Sequence, residues 1–220
     1  MPRNPLVDFT GSVAASFVVG DRLKPDPSAA VVAIPRPSAC PGLWRVVSAL
    51  DGGICRVKLP GGLLTSAQAR AVAEAARMCA SGVLELTNRS NLQIRGVREG
   101  EQAALVQRLL AAGLGPRHAA ADDVRNLLLS PAAGRDPAAQ LDIRPLAERL
   151  LALLQDTPEF HGLSAKFALQ LDGGEALAML DHPHDLWLSA LPGGQQLAFG
   201  LAGTPRDQAL ASVQLQGELG

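Results

Sequence analysis

The chain has 220 residues, 47% of them hydrophobic, which is enough to fill the core of one large domain or two small ones. Its 20 basic and 21 acidic side chains leave a formal net charge of −1, so no overall field attracts nucleic acid or an acidic membrane, and any anion site must be local. The aromatic content of 3%, without any tyrosine, also leaves few surfaces on which single-stranded nucleic acid could stack.

The cysteines and the amino-terminal segment predict the cellular setting. Cys40, Cys55 and Cys79 are odd in number and widely spaced, without a C-x-x-C pair, which argues against a disulfide framework or a self-contained metal site. The apolar stretch SVAASFVV at residues 12–19 follows a single arginine and is too short to span a bilayer. We therefore predict a cytoplasmic protein with neither an export signal nor a membrane anchor.

The first predicted strand follows a proline-rich start. Residues 1–41 are rich in proline and show little periodicity, which predicts an extended tail without a core of its own. A DGG turn then precedes the sequence ICRVKL, whose alternation predicts a strand. Arg56 and Lys58 should lie on one face of this strand, and Cys55 and Val57 on the other.

A helix, a hairpin and a second helix are predicted next. Thr65 and Gln68 match a capping box, in which the hydroxyl and the amide satisfy free N–H groups at the start of a helix. Residues 83–87 and 91–97 predict a hairpin, and a stripe that begins with Leu105 predicts the second helix. The order of strand, helix, strand, strand and helix predicts a small α+β sandwich with both helices on one face of the sheet.

This arrangement leaves six polar side chains together on the other face of the sheet: Arg56, Lys58, Thr87, Asn91, Gln93 and Arg95. A polar face exposed to solvent is common in half-buried sheets and is one explanation of the pattern. Asparagine, glutamine and arginine, however, are not typical of solvent-facing strands, and their planar donors suit carboxylates. Since only Glu85 opposes the cations of this region, which include Arg89, we favour a site for a polycarboxylate or an oxyanion.

The second half of the chain is predicted to combine helix and strand. The sequence DDVRN precedes an apolar run, and Asp136 is predicted to cap a helix that Pro145 kinks or divides. From Lys166 onward the alternation predicts four strands, KFALQL, EALAML, LWLSAL and QQLAFGLAG, with the loop DHPHD between the second and third. The predicted organisation is a proline-rich tail at 1–41, a half domain at 42–115 and a second, partial domain at 116–220.

Three blocks of this sequence carry a resemblance to a known family. The blocks LPGGLLTSAQARAVAEAA, LELTNRSNLQIRGV and DDVRNLLLSP resemble the amino-terminal half of the nitrite and sulfite reductase superfamily. The stretch RPSACPGLWRVVSALDGGICRVKLPGG resembles, more closely, the precorrin-3B synthase branch of that superfamily. The resemblance runs from about Arg36 to the end of the chain, and it implies a ferredoxin-like half domain (β-α-β-β-α) followed by part of the α+β domain that carries sirohaem and a [4Fe-4S] cluster.

The resemblance also implies roles for particular residues. Carried over by motif, Lys58, Arg89, Arg125 and Lys166 fall on basic positions around an eight-carboxylate tetrapyrrole, while Asn88, Asn91 and Gln93 fall near the macrocycle. The residues predicted to be catalytic are Lys58, Arg125 and Lys166. The residues predicted to bind the tetrapyrrole, either sirohaem or a precorrin substrate, are Arg56, Asn88, Arg89, Asn91, Gln93, Arg95 and Asn126. No metal ligand is assigned.

The implied activity is that of a precorrin-3B synthase-like oxidoreductase of aerobic cobalamin biosynthesis, with O2-dependent hydroxylation and lactone formation on precorrin-3A. Ala168 and Arg95 stand where the reductases usually have a second basic residue and a histidine, which favours this branch. The alternatives are the amino-terminal half of an assimilatory sulfite or nitrite reductase, and a non-catalytic module that binds an anion or pairs with a mate.

The resemblance further implies a [4Fe-4S] cluster and a non-haem iron in full-length members. A cluster needs four thiolates, which the family carries in its second half, and Cys55 and Cys79 are predicted to be core residues, so the cluster ligands are expected to be missing here. His182 and His184 either bind the iron or belong to a polar turn. The expected partners are precorrin-3A or a related tetrapyrrole, an electron donor, and a carboxyl-terminal half or a second copy of the chain, with no nucleic acid and no membrane.

Overall fold

The computed structural model describes residues 40–215, so most of the predicted tail and the apolar stretch at 12–19 lie outside the described residues. The first half of the described chain forms an antiparallel sheet in the order β1-β2-β4-β3 with two helices. The strands are β1 (Val47–Ala49), β2 (Gly52–Val57), β3 (Leu84–Leu86) and β4 (Leu92–Val97). The helices are α1 (Ser66–Cys79) and α2 (Gln102–Ala111).

The predicted start of α1 is confirmed in detail. The Thr65 hydroxyl accepts a hydrogen bond from the Gln68 N–H at 3.2 Å, and the Gln68 side chain accepts one from the Thr65 N–H at 3.0 Å. The N–H groups of Thr65 and Gln68, which have no partner within the helix, are thereby satisfied. Beyond the end of the helix, the Gly82 N–H donates back to the Ala76 carbonyl at 3.2 Å.

The core of this sheet follows the predicted alternation, apart from its edge strand. Cys55 and Val57 of β2 are fully buried, and Ile94 of β4 joins them under the two helices. Leu84 and Leu86 lie opposite Ile94 and Leu92, so they share the helix side of the sheet as predicted. They are not buried there, because β3 is the edge strand, and Leu86 is 85% exposed. Only one neighbouring strand flanks β3, so its leucines are not enclosed.

The second half of the described chain forms a mixed sheet in the order β5-β6-β7-β8-β9, in which β5, β6 and β7 run parallel and β7, β8 and β9 run antiparallel. The strands are β5 (Leu127–Leu128), β6 (Leu169–Asp172), β7 (Leu186–Ala190), β8 (Gln196–Leu201) and β9 (Ala211–Gln214). Helix α3 (Arg144–Asp156) contributes Ala147 and Leu154 to a second buried cluster with Leu169 and Leu171. The predicted α+β fold class is confirmed.

Three local predictions in this half are wrong. Asp136 caps no helix; its carboxylate accepts hydrogen bonds from the N–H groups of Ala138 at 2.9 Å and Ala176 at 2.7 Å. Pro145 does not divide a helix, because it lies in the first turn of α3, where no N–H is needed. Residues 175–180 form no strand, since Glu175 turns inward and accepts a hydrogen bond from the Gly173 N–H at 2.9 Å.

Within residues 40–215, no helix is both long enough and apolar enough to cross a membrane. The last residue of the first buried cluster is Leu114, and the first residue of the second cluster is Ala121. The predicted division into two domains at residue 116 stays a prediction.

Candidate anion-binding site at the polar sheet face

Part of the polar face of the first sheet is covered by the second half of the chain. Lys58 belongs to this face but is only 2% exposed, because its Nζ donates to the Asp123 carbonyl at 2.6 Å and lies 4.0 Å from the Asp123 carboxylate. Arg45 pairs with the same carboxylate at 2.7 Å. Burial lowers the pKa of Lys58 to about 8, although the nearby carboxylates act in the opposite direction. We call this contact region the junction.

An amide pair continues the junction. The Asn91 side-chain carbonyl accepts the Leu59 N–H at 3.0 Å, and its amide donates to the Asn126 Oδ1 at 3.1 Å. The Asn126 amide in turn donates to the carbonyls of Ala165 at 3.0 Å and Phe167 at 2.8 Å. Both amides are buried and their hydrogen bonds are made within the chain, so they join the two sheets.

Arg125 is also buried at the junction. Its Nη2 lies 3.4 Å from the Asp122 Oδ1, and its Nη1 donates to the Gly115 carbonyl at 3.2 Å. Burial is the main cause that lowers the pKa of Arg125. Its Nε is buried without a hydrogen-bond partner among the described residues, beside a cavity of about 470 Å³ that Arg117 and Glu148 also line.

Arg95 is neutralised on the open part of the sheet. Two of its guanidinium nitrogens donate to the Asp51 carboxylate at 2.9 and 3.0 Å, and a third lies 3.5 Å from Glu85. The expectation that only Glu85 opposes the cations of this region is therefore wrong, since Asp51 and Asp123 come from outside the hairpin. Arg95 can meet an external carboxylate only by exchanging these partners.

Arg56 and Arg89 form no ion pair with a residue of the described chain. Arg56 stands opposite Gln93 on the neighbouring strand, and its Nε is buried without a hydrogen-bond partner among residues 40–215. Arg89 lies in the turn that joins β3 to β4, a turn closed by the Ser90 N–H, which donates to the Thr87 carbonyl at 3.1 Å. Burial lowers the pKa of Arg56, and the charge of Arg89 lowers it further. The two cations thus disfavour each other, and no carboxylate within residues 40–215 forms an ion pair with either.

His184 extends this group from the second half of the chain. Its side chain is only 4% exposed, and neither ring nitrogen has a hydrogen-bond partner within residues 40–215. Burial, the neighbouring His182 and then Arg89 lower the pKa of His184 to about 4. We define Arg56, Arg89 and His184 as the open cationic cluster. Sequence reasoning treats His184 only as an iron ligand or a turn residue; burial against Arg89 is a long-range property that no local pattern reports.

The remaining predicted site residues lie at the surface or at its border. Lys166 and Asn88 are exposed, and Gln93 is half-buried between Arg56 and Glu85 on the flanking strands. The rings of His182 and His184 are 5.0 Å apart, yet no group of three or more metal-ligating side chains occurs within the described range. The structure therefore gathers Arg56 and Arg89, buries Lys58, Arg125, Asn91 and Asn126 at the junction, and leaves Lys166 apart. The catalytic assignment of Lys58, Arg125 and Lys166 stays a prediction.

Two family descriptions match the two halves of the chain. Residues 50–112 match the nitrite/sulfite reductase ferredoxin-like half domain, and residues 120–206 match the nitrite and sulphite reductase 4Fe-4S domain. The chain carries two domains of the nitrite/sulfite reductase superfamily. The first match covers β2, β3 and β4 with α1 and α2, and the second covers α3 and β5 to β8.

Curated relatives of the superfamily resemble the chain over about two thirds of its length. It is 35% identical to the chloroplastic ferredoxin–nitrite reductase of Arabidopsis thaliana over 150 residues, which are 66% of this chain and 25% of that protein. It is 34% identical to a precorrin-3B synthase from a Sinorhizobium species over 146 residues, 66% of this chain and 31% of that protein. The chain thus spans between a quarter and a third of these relatives.

A solved structure shares the fold. The NirA protein of Mycobacterium tuberculosis aligns with a TM-score of 0.55 and 19% identity, covering 69% of this chain and 30% of that one. This shared fold and the match of residues 50–112 together confirm the ferredoxin-like half domain predicted from the sequence.

The superfamily implies two prosthetic groups, which this chain fits unequally. The open cationic cluster offers buried N–H donors without partners, a feature that suits the carboxylates of a tetrapyrrole. A [4Fe-4S] cluster does not fit, because the chain has three cysteines, and Cys55 and Cys79 are buried in the first core. Burial raises the pKa of Cys55 to about 12, so its thiol stays protonated and is a poor ligand.

Proposed function

We propose that this chain binds a polycarboxylate tetrapyrrole as part of a nitrite/sulfite reductase-type oxidoreductase. The observation that supports it is the open cationic cluster, in which Arg56 and His184 have buried nitrogens without partners among the described residues and the charge of Arg89 acts on both. Buried polar groups in folded proteins nearly always have a hydrogen-bond partner, and exceptions point to a ligand or an ion. A carboxylate satisfies these donors and balances the two guanidinium charges.

The junction is expected to support the ligand indirectly. Lys58 and Arg125 already contact Asp123, Asp122 and backbone carbonyls, so they are not free to grip a carboxylate. Their role in this proposal is to hold the two sheets together. Arg89 from the first sheet and His184 from the second are then fixed at one place.

For the reaction class, we propose electron transfer to a small oxidised substrate, as in the ferredoxin–nitrite reductases that resemble the chain. Because the chain spans about a quarter of those proteins, the complete enzyme would also need the remaining part of the reductase, or a mate, and an electron donor. The cluster thiolates would come from that part.

A second candidate is a precorrin-3B synthase-type monooxygenase of cobalamin biosynthesis. The observation that favours it is Ala168, which stands where a second basic residue is expected in sulfite and nitrite reductases. Ala168 is 3% exposed and its N–H donates to the Asp185 carboxylate at 2.9 Å, so nothing cationic reaches the site from this position. In the purified holoenzyme, nitrite-dependent oxidation of a reduced donor supports the first candidate, and O2 consumption that requires precorrin-3A supports the second.

Titration of the purified chain with uroporphyrin, an octacarboxylate tetrapyrrole, tests the proposal. Arg56→Ala and Arg89→Ala should each weaken binding by roughly tenfold or more, the usual effect of losing a charge-assisted hydrogen bond. Arg144→Ala is the matched control, because Arg144 is an exposed arginine paired with Asp142 in the second half of the chain. Failure of the wild-type chain to bind, or equal binding by both cluster variants and wild type, rejects the proposal.

A further inference from the structure

The imidazole of His184 is buried and has no well-formed hydrogen bond within residues 40–215, although the backbone of His182 favours a proton on the ring. His184 lies in the loop between β6 and β7. Its backbone N–H donates to the Gly203 carbonyl at 2.8 Å, which fixes the main chain at this position. The imidazole is 4% exposed, and neither of its nitrogens has a partner among the described residues. Such a side chain costs stability, because burying an unpaired polar group is unfavourable. An apolar residue would serve packing better.

The charged and titratable groups around His184 favour an anion over a metal ion. His182 and Arg89 both disfavour a positive charge on its ring, and Asp185 is the one carboxylate among these neighbours. The Asp185 Oδ2 already accepts the Ala168 N–H. A metal cation would meet two imidazoles beside a guanidinium, whereas an anion would meet a guanidinium and an N–H donor.

We propose that His184 is a binding residue that donates a ring N–H to a carboxylate of the bound tetrapyrrole, beside the guanidinium of Arg89. This assignment rests on the proposed function and adds a specific contact to it. The neutral imidazole carries one N–H, so it can donate without the cost of a buried charge. A carboxylate placed against it favours the protonated ring, so binding takes up a proton when the pH is low enough.

Uroporphyrin titration of three variants tests this contact. His184→Leu should weaken binding by roughly tenfold, and His184→Asn, which keeps an N–H donor, should stay within about threefold of wild type. The melting temperature of His184→Leu should equal or exceed that of wild type, because an unpaired polar group is removed. His161→Leu is the control: His161 is half-buried but bonded to the Gln155 carbonyl at 2.8 Å, so its loss should lower the melting temperature and leave affinity unchanged.

A pH comparison keeps the assignment testable if His184→Leu folds poorly. The ratio of wild-type to His184→Asn affinity should rise between pH 8 and pH 5.5, since only the histidine can take up a proton, and ionisation of the ligand affects both proteins alike. A constant ratio, or unchanged affinity in every His184 variant while Arg89→Ala still weakens binding, overturns this assignment alone. No binding by the wild-type chain overturns both this assignment and the proposed function.

Discussion

Alkaline pH should stabilise this protein through Lys58. Burial at the junction lowers the pKa of its ammonium group from 10.5 to about 8. The unfolded chain keeps the Lys58 proton up to about pH 10.5, whereas the folded chain releases it near pH 8. Between these values the unfolded state binds more protons, so the free energy of unfolding rises with pH.

The size of the effect follows from the two pKa values. One pKa unit corresponds to about 1.4 kcal/mol, so the full difference is worth about 3 kcal/mol. About 2 kcal/mol of this gain falls between pH 8 and pH 10. Cys55 acts in the opposite direction, because burial raises its pKa from 9.0 to about 12 and stability is lost as the unfolded thiol ionises above pH 9.

Comparison with Lys58→Met separates the two effects. Cys55 is the same in both proteins, so the difference between their free energies of unfolding isolates Lys58. Urea unfolding at pH 8, 9 and 10 can be followed by tryptophan fluorescence, since Trp187 is 1% exposed in the folded protein. Lys166→Met is the matched control, because Lys166 is an exposed lysine of the second half.

Wild type should gain about 2 kcal/mol relative to Lys58→Met between pH 8 and pH 10, and Lys166→Met should follow wild type. If wild type and Lys58→Met respond equally to pH, the ammonium group is not desolvated. The two sheets would then not close over Lys58, and the account of the junction would be wrong.

Three further predictions concern stability. Thr65→Ala removes the hydroxyl that accepts the Gln68 N–H, so urea unfolding should show a loss of about 1 kcal/mol. Asn126→Ala breaks the amide pair and leaves the carbonyls of Ala165 and Phe167 without this donor, which should cost about 3 kcal/mol in the same assay. His184 prefers to be neutral when folded, so stability should fall as pH drops from 6.5 towards 4, and thermal melts of His184→Leu should show a smaller fall.

Local chemistry in the sequence predicts three of the four strands of the first sheet, and only β1 is missed. The capping box of Thr65 and Gln68 and the alternation of Cys55 with Arg56 are features within a few residues, and both appear in the structure as predicted. Leu86 shows the limit of such patterns. Its apolar side chain matches the strand period, but whether a strand is central or at the edge depends on the whole sheet.

The candidate site is harder to predict from the sequence, because its residues contact partners that are far away along the chain. Lys58 matches a polar strand face, yet its position is decided by Asp123, 65 residues further along the chain. Glu175 begins an apolar segment that resembles a strand, but it bonds to the Gly173 N–H instead. A period of two residues reports which face a side chain occupies and carries no information about what covers that face.

The amides and guanidinium groups on this sheet face have two different structural roles. One part joins the sheets through Asn91 and Asn126, and the other part is Arg56, which the charge of Arg89 affects as it also affects His184. Since Arg89 and His184 belong to different sheets, they come together only while the junction is closed. Asn126→Ala should therefore weaken uroporphyrin binding as well as stability, although Asn126 donates only to carbonyls of the chain. Unchanged affinity in a folded Asn126→Ala protein would show that the open cationic cluster forms without the amide pair.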